Sequence, residues 1–527
     1  MVRSGGWCLL LSFVGLLVVP FMDRVGGVEY DDDDDLGVAE PPKLIVVDVV
    51  EHLNASHVPV PIGDTNPLGI SFEFFAFPAY ATRLSQTAQC LKNLEQAYGM
   101  PSPIRIGGTT QDRARYDREE SQPVRYQLPS GGGAAQVPAR LSFGPEFIRL
   151  ANQLSPGPLT FGLNRQSGNL LNAGIAARDL VDHLSNLYAI ELGNEPEFWA
   201  PGSPERKGLK NWTPDADARS QKAWQREIST RVAKKALVQA GVFLSPPRWS
   251  VSELALQEGP DLQYVKSFGG HAYPQSACGN SKTSLAGLMN HTQIVSFVGR
   301  FEAEVRAAKK LGKPYHFSET NSATCGGHGI SGTFGAALWL IDYVFQALLL
   351  GVNRLYFHQG TINHSPYSFW NATQVSPTYY GAYFVSLALR GATELSRLPS
   401  SRPEVAVYGL WKCGRLVRLV IYHSEFRGPN SPARSPEPVE IHGLPPDVLR
   451  VRLLRLAAKH AFVSATGRLG PDHVSFGNTF FDNRDCSFRG PPLYQTLPVP
   501  SGPLLLHIAP SQAIIIELVS KIPAPFC

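Results

Sequence analysis

The chain is poor in charge. Asp, Glu, Lys and Arg make up 17% of its 527 residues, and the formal net charge is only +4. That excludes the dense single-sign field by which proteins hold nucleic acid or an anionic membrane surface. Neither a Cys-x-x-Cys nor a His-Glu-x-x-His spacing occurs, so no dedicated zinc site is offered, and no metal or cofactor is expected. Beyond the N-terminus no stretch reads as a membrane span, which needs about 20 apolar residues. The apolar run at 334–351 contains Asp342 and suits a barrel helix better. No internal repeat other than strand–helix units is present, and no long low-complexity segment.

What is present suits a secreted, loop-rich enzyme. The hydrophobic fraction of 43% is enough for a buried core, and 48 Gly and 43 Pro supply turns. Arg3 precedes an apolar stretch at 7–19 that ends at Pro20. This is short for a membrane helix and predicts a cleaved signal peptide over 1–27, hence secretion without stable membrane insertion. Five N-x-S/T sequons, at Asn54, Asn211, Asn290, Asn363 and Asn371, agree with that route. Cys8 would leave with the signal. Among the other six cysteines, Cys278 and Cys325 are expected to pair, since both fall in loops on one barrel face. Cys413 with Cys486 is the second pairing expected.

An acidic leader occupies 28–41, where Asp31 to Asp35 read as a solvated run. A β-rich run then predicts an N-terminal strand, within 42–62, that joins the second domain. Short apolar runs at 68–75, 103–108, 159–163, 188–192, 249–254, 265–272, 314–317 and 354–357 alternate with helical stretches. The latter lie at 83–98, 145–154, 173–185, 221–240, 293–311 and 333–350. Eight strand–helix units predict a closed (β/α)8 TIM barrel over 63–392, with an open doubly wound sheet as the alternative. Past a helix at 379–389 the pattern changes to short alternating β runs. That predicts a C-terminal antiparallel β-sandwich over 393–527.

Two stretches carry chemistry. Ile190-Glu191-Leu192-Gly193-Asn194-Glu195-Pro196-Glu197 ends the fourth strand, and His316-Phe317-Ser318-Glu319-Thr320-Asn321 ends the seventh. In a closed barrel both strand ends open on the same face. Two carboxylates there suit glycosidic bond cleavage, one as proton donor and one as nucleophile. Glu195 and Glu319 fill those roles, with Asn194 beside a sugar hydroxyl. Glu191, deeper in the strand, and Glu197, further into the loop, compete for the acid role. A retaining mechanism calls for carboxyl groups about 5–5.5 Å apart, whereas about 9 Å would mean inversion. Gly327 to Gly332 formally match G-x-G-x-x-G. They do not directly follow their strand, and no acidic residue stands about 20 positions on, which rules out a dinucleotide site. Backbone N–H groups ahead of the next helix still suit an anion.

Glu-Leu-Gly-Asn-Glu-Pro at 191–196 and Ser-Glu-Thr-Asn-Ser at 318–322 resemble glycoside hydrolase family 79, the β-glucuronidase and heparanase family. Arg105-Ile106-Gly107-Gly108-Thr109 with Gln111 and Asp112, His271-Ala272-Tyr273-Pro274, and Phe357-His358-Gln359-Gly360 are similar to its other strand-end motifs. The resemblance implies Glu195 as general acid/base, Glu319 as nucleophile, and Gly326-Gly327 as the backbone pair holding a uronate carboxylate. Where the family often has Tyr shortly before that pair, this chain has Thr324 and Cys325. Tyr273 is expected against Glu319, and His358 and Tyr367 against the sugar. The expected protein is a monomeric, secreted, retaining β-glucuronidase acting on a carbohydrate. The alternatives are an endo-acting heparanase-like enzyme, for which 206–210 offers basic residues, a β-glycosidase for neutral sugars, and a non-catalytic cell-wall carbohydrate-binding protein.

Overall fold

The computed structural model describes residues 43–49, 58–129, 137–432 and 435–522. The expected signal peptide, the acidic leader and the sequon at Asn54 lie outside them. Eight apolar runs form parallel strands: β1 (Leu68–Glu73), β2 (Ile104–Gly107), β3 (Leu159–Leu163), β4 (Leu187–Leu192), β5 (Val238–Phe243), β6 (Val265–Ala272), β7 (Tyr315–Thr320) and β8 (Arg354–Gln359). They pair in chain order, and β8 closes on β1. The result is the (β/α)8 barrel.

Its interior is not wholly apolar. Arg105 of β2 donates to Glu191 of β4, which accepts from Gln239 of β5, which accepts in turn from His316 of β7. Burial holds the His316 pKa well below its ordinary value, so the ring stays neutral and donates through Nδ1. Arg105, Glu191 and Gln239 thus each bond a neighbour across the barrel, as buried polar groups require.

The fifth strand departs from expectation. Residues 249–254 are not a strand but the start of helix Val251–Glu258, and the helix expected over 221–240 stops at Arg231 to leave Val238–Phe243 as β5. The missed signal is a capping box. Ser250 Oγ accepts from the Glu253 N–H, four residues that spell Ser-x-x-Glu. Gly241 in β5 has φ 102°, and a Cβ there would sit 2.6 Å from the Gly269 carbonyl of β6. Only glycine permits that approach.

The second domain is a two-layer β structure. A large antiparallel sheet includes Glu394–Leu398, Val405–Lys412, Arg415–His423, Gln512–Ser520 and Val448–Ala457. It faces a three-stranded sheet in which Ile45–Asp48 pairs in parallel with Glu437–His442. Val47, Val407, Ile421, Val439 and Ile514 fill the space between the layers. The N-terminal strand thus joins the C-terminal sheet.

Two devices join barrel and sandwich. Cys486 is disulfide-bonded to Cys90 of the helix Gln86–Tyr98 rather than to Cys413. Cys90 is wholly buried where that helix meets the C-terminal segment, and Asn93 one turn on donates to the Cys486 carbonyl at 2.6 Å. Helix Phe334–Leu350 is the other. Its Phe334 and Gly335 N–H groups donate to the carbonyls of Val463 and Ala461, both at 2.8 Å. Within its apolar surface Asp342 accepts from His291 Nδ1 at 2.7 Å and from the Tyr408 hydroxyl, which Gln346 also contacts. Removing one member of such a buried set strands the others. Asp342→Ala should therefore cost about 3 kcal/mol in urea unfolding, and a loss under about 1 kcal/mol would show the set is not structural.

Candidate active site

At the C-terminal ends of the strands a cavity of about 700 Å³ opens, lined by Glu73, Glu195, His271, Tyr273, Glu319, Gly326, His358 and Tyr367 among others. Glu319 is the penultimate residue of β7. Glu195 stands in the turn after β4 with φ 43° and ψ 61°, a left-handed conformation rare for a residue with a side chain. Three contacts hold it there. The Glu195 N–H donates to the Val242 carbonyl at 3.2 Å, and its carbonyl accepts from Phe198 at 3.0 Å. Asp112 accepts from the neighbouring Asn194 N–H at 2.7 Å. A carboxylate oxygen of Glu195 and one of Glu319 lie within 4.8 Å of each other, with a ring nitrogen of His271 within the same distance of both. That distance fits the retaining separation and falls short of the roughly 6.5–9.5 Å that inversion needs.

Glu319 is almost fully enclosed. Its Oε2 accepts from Arg105 Nη1 and its Oε1 from the Tyr273 hydroxyl, both at 2.7 Å. Burial alone would raise its pKa, but His358, His271 and Arg105 outweigh that and hold the carboxyl well below the usual carboxylate range. It is therefore ionised, as a nucleophile must be. Arg105 also reaches Glu191 at 2.7 Å, Ser71 at 3.0 Å and Asn194 Oδ1 at 3.0 Å. Asn194 therefore has its amide NH2, not its oxygen, to offer a ligand.

Glu195 has a different partner. His271 Nδ1 lies 2.8 Å from its Oε1, while His271 Nε2 is buried with no protein partner. The ring proton thus belongs on Nδ1, donating to Glu195. Glu197 is not on the cavity wall. Its Oε1 accepts from the Leu244 and Ser245 N–H groups at 2.6 and 3.2 Å, and burial, then the charge on Glu195, push its pKa up to about 8. Glu191 is locked to Arg105 and Gln239. Neither competitor for the acid role reaches the cavity.

No family model matches the chain. It is 28% identical to a β-glucuronidase of Aspergillus niger over 395 residues, 67% of this chain and 70% of the relative. A β-glucuronidase of Neurospora crassa is 26% identical over 401 residues, with the same coverages. A solved structure, a 4-O-α-L-rhamnosyl-β-D-glucuronidase from Fusarium oxysporum in complex with Rha-GlcA, is 37% identical. It superposes with a TM-score of 0.82, covering 90% of this chain and all of that one. The chain belongs to the β-glucuronidase family. It is a retaining glycoside hydrolase, and its substrate is a carbohydrate.

Within this β-glucuronidase-family barrel, the other expected site residues divide. Tyr273, His358, Tyr367 and Gly326 line the cavity. Gly327 does not. Its φ is 69°, and a Cβ there would meet Ser331 Oγ at 1.9 Å, so it serves the turn behind Gly326. The Cys278–Cys325 disulfide joins the loops after β6 and β7, and both cysteines face the cavity. His358 bridges Ser71 at 3.0 Å and Glu73 at 3.3 Å. Burial opposes its charge, but Glu319 and Glu73 raise its pKa above the ordinary value.

Arg105, His271 and Asp112 were legible only as parts of motifs, without roles, and Glu73 was not singled out. The available signal was a charged residue inside an apolar strand, Ile-Arg-Ile, where a barrel core should be dry. Asp112 joins two loops, accepting from Asn194 N and Trp199 Nε1 and from Arg165 N, and burial raises its pKa to about 6.

Two predictions follow from this geometry. Lysine is a point charge without the guanidinium fork, so Arg105→Lys should lower kcat/KM about 100-fold with the fold retained by circular dichroism. A change below about threefold would deny Arg105 its place in the site. Tyr273→Phe removes a hydrogen bond made to the ionised form of Glu319 and so raises that group's pKa. The acidic limb of the kcat/KM profile should move to higher pH, and an unmoved limb would contradict the assignment.

Proposed function

We propose that the chain is a secreted, monomeric β-glucuronidase that removes terminal β-linked glucuronic acid, with Glu319 as nucleophile and Glu195 as general acid/base. The observation that carries this reading is the pair of unequal carboxylates in one cavity. Glu319 is held ionised by Arg105 and Tyr273, and Glu195 has a single side-chain partner, His271 Nδ1. Glu319 attacks the anomeric carbon as Glu195 gives its proton to the glycosidic oxygen, and the C1–O bond breaks with its electron pair going to the leaving alcohol. The glycosyl ester is then opened by water, which gives a proton back to Glu195. His271 Nδ1–H stabilises Glu195 during the interval in which it is ionised. Tyr367 and the turn at Gly326 enclose one end of the cavity and suit the uronate carboxylate. Glu73 suits the ring hydroxyls, whereas Asn194, expected beside a sugar hydroxyl, lines a smaller hollow shared with Glu195 and Phe198.

For an endo-acting, sulfate-binding reading the stretch 206–210 offers only Lys207 and Lys210, which are exposed. Arg206 is buried, and it donates to the carbonyls of Trp199, Leu209 and Lys210. A second reading has a specific basis. The Fusarium protein is named for a 4-O-rhamnosylated glucuronide, and the present cavity has room beyond one sugar ring. Secretion rests on the segment at 1–27. Asn211, Asn290 and Asn363 are exposed, and Asn371 is half-buried, as candidate glycosylation sites. No helix among the described residues is long and apolar enough to cross a membrane.

The test is hydrolysis of an aryl β-glucuronide beside the glucoside and the 4-O-rhamnosyl glucuronide, with the first-formed anomer read by NMR. A β-anomer from a glucuronide is expected. A preference for the glucoside, or an α-anomer first, would sink the proposal. Glu319→Gln should lose at least about 1,000-fold in kcat. Glu195→Ala should still form the ester from a substrate with a good leaving group, and added azide should then accelerate turnover, since only the proton transfers are lost.

A further inference from the structure

The two disulfides differ in their surroundings. Cys90 and Cys486 are wholly buried. Cys278 is half-buried and Cys325 exposed, and both stand in the cavity wall beside Gly326. A bond so placed is not part of the core. The loops it joins already meet once, since Gln275–Ser276 pairs in parallel with Ala323–Thr324. The Thr324 hydroxyl donates to Ser276 Oγ at 3.1 Å and lies 3.1 Å from Cys278 Sγ.

The chain then turns through three residues of positive φ: Cys325 at 54°, Gly326 at 82° and Gly327 at 69°. Two are glycines, which accept this conformation without penalty. The first is not. A residue with a Cβ stays left-handed only where its surroundings hold it there. On its far side the turn is held by its carbonyls, Gly326 accepting from Tyr367 N–H at 3.4 Å and Gly327 from Ser331 N–H at 3.1 Å. On its near side Cys325 is tied through its sulfur to Cys278. The catalytic carboxylates have other supports, Arg105 and Tyr273 for Glu319 and Val242 and Asp112 for the turn at Glu195. None of these runs through the disulfide.

Resting on the function proposed above, we infer that the Cys278–Cys325 disulfide positions the turn at Gly326 and thereby sets the preference for a charged over a neutral sugar. The two cysteines are positioning residues. They act on substrate through the Gly326 backbone, and their loss weakens recognition of the group at C6 while leaving the bond-breaking step in place.

The experiment compares an aryl β-glucuronide with the matching aryl β-glucuronamide, which has the same ring and leaving group but a neutral C6. In the double variant Cys278→Ala, Cys325→Ala the acid-to-amide ratio of kcat/KM should fall about tenfold, the order of factor by which a Cβ disfavours the left-handed conformation. The fall should appear in KM for the acid, with kcat on either substrate changed less than about threefold. In Cys278→Ala, Cys325→Gly the residue at 325 again accepts a positive φ freely, and the ratio should stand about threefold below wild type. That second variant decides on the same ratio if the first does not fold. A wild-type preference for the acid that both variants keep would overturn the role of the disulfide alone. So would equal losses on acid and amide, or a glycine variant no better than the alanine one. A wild-type protein that does not prefer the acid overturns the uronate reading and this inference with it.

Discussion

Arg105 brings a full positive charge into the barrel interior, where its side chain is fully buried. A guanidinium in that position is stable only if its donors are matched and its charge is countered. Glu191 counters it from one side and Glu319 from the other, each at 2.7 Å, and Ser71 and Asn194 take further donors. One side chain thereby connects β1, β2, β4 and β7. It also sets the protonation of the site, because burial without Arg105 and the two histidines would favour a neutral Glu319. Glu191 lets the arginine exist there at all, leaving Glu319 with the share of positive charge that keeps it ionised.

The proton-donor side obeys a different constraint. Glu195 is not in the strand but one turn beyond it, in a backbone conformation that costs about 1–3 kcal/mol and persists only where its surroundings hold it. Asp112 from the loop after β2 and Val242 at the end of β5 provide that hold from opposite directions. Glu197, largely neutral at its pKa of about 8, closes the turn onto the Leu244–Ser245 backbone without adding a full negative charge next to Glu195. The two carboxylates of the site therefore differ because their supports differ. One is surrounded by cationic donors on a strand, and the other sits in a loop beside a single imidazole. The proposed division into nucleophile and acid rests on this difference.

The barrel was legible because parallel strands buried on both faces read as apolar runs, and helices between them carry caps and periodicity. It failed at one unit. Val238–Phe243 and 249–254 are both apolar and of strand length, and only Ser250 with Glu253 marks the second as a helix start. Glu195 and Glu319 were legible because Gly193, Pro196 and strand ends punctuate them. Arg105 and His271 were not, because a residue inside a strand shows nothing of which face it takes or what it meets across the barrel. Cysteine pairing was half legible for the same reason. Cys278 and Cys325 lie in adjacent loops, whereas Cys90 meets Cys486 across 396 residues.

Local chemistry thus settles a good deal. Apolar period, turn residues and capping are short-range properties, and they specify a (β/α)8 barrel, a trailing β domain and two carboxylates at strand ends. What each carboxylate does depends on charges and donors tens to hundreds of residues away in the chain. Arg105 reaches Glu319 across 214 positions and His271 reaches Glu195 across 76. Electrostatic interactions fall with distance in space and not along the chain. The ionised state of Glu319 and the separation of the pair therefore exist only once the barrel is closed.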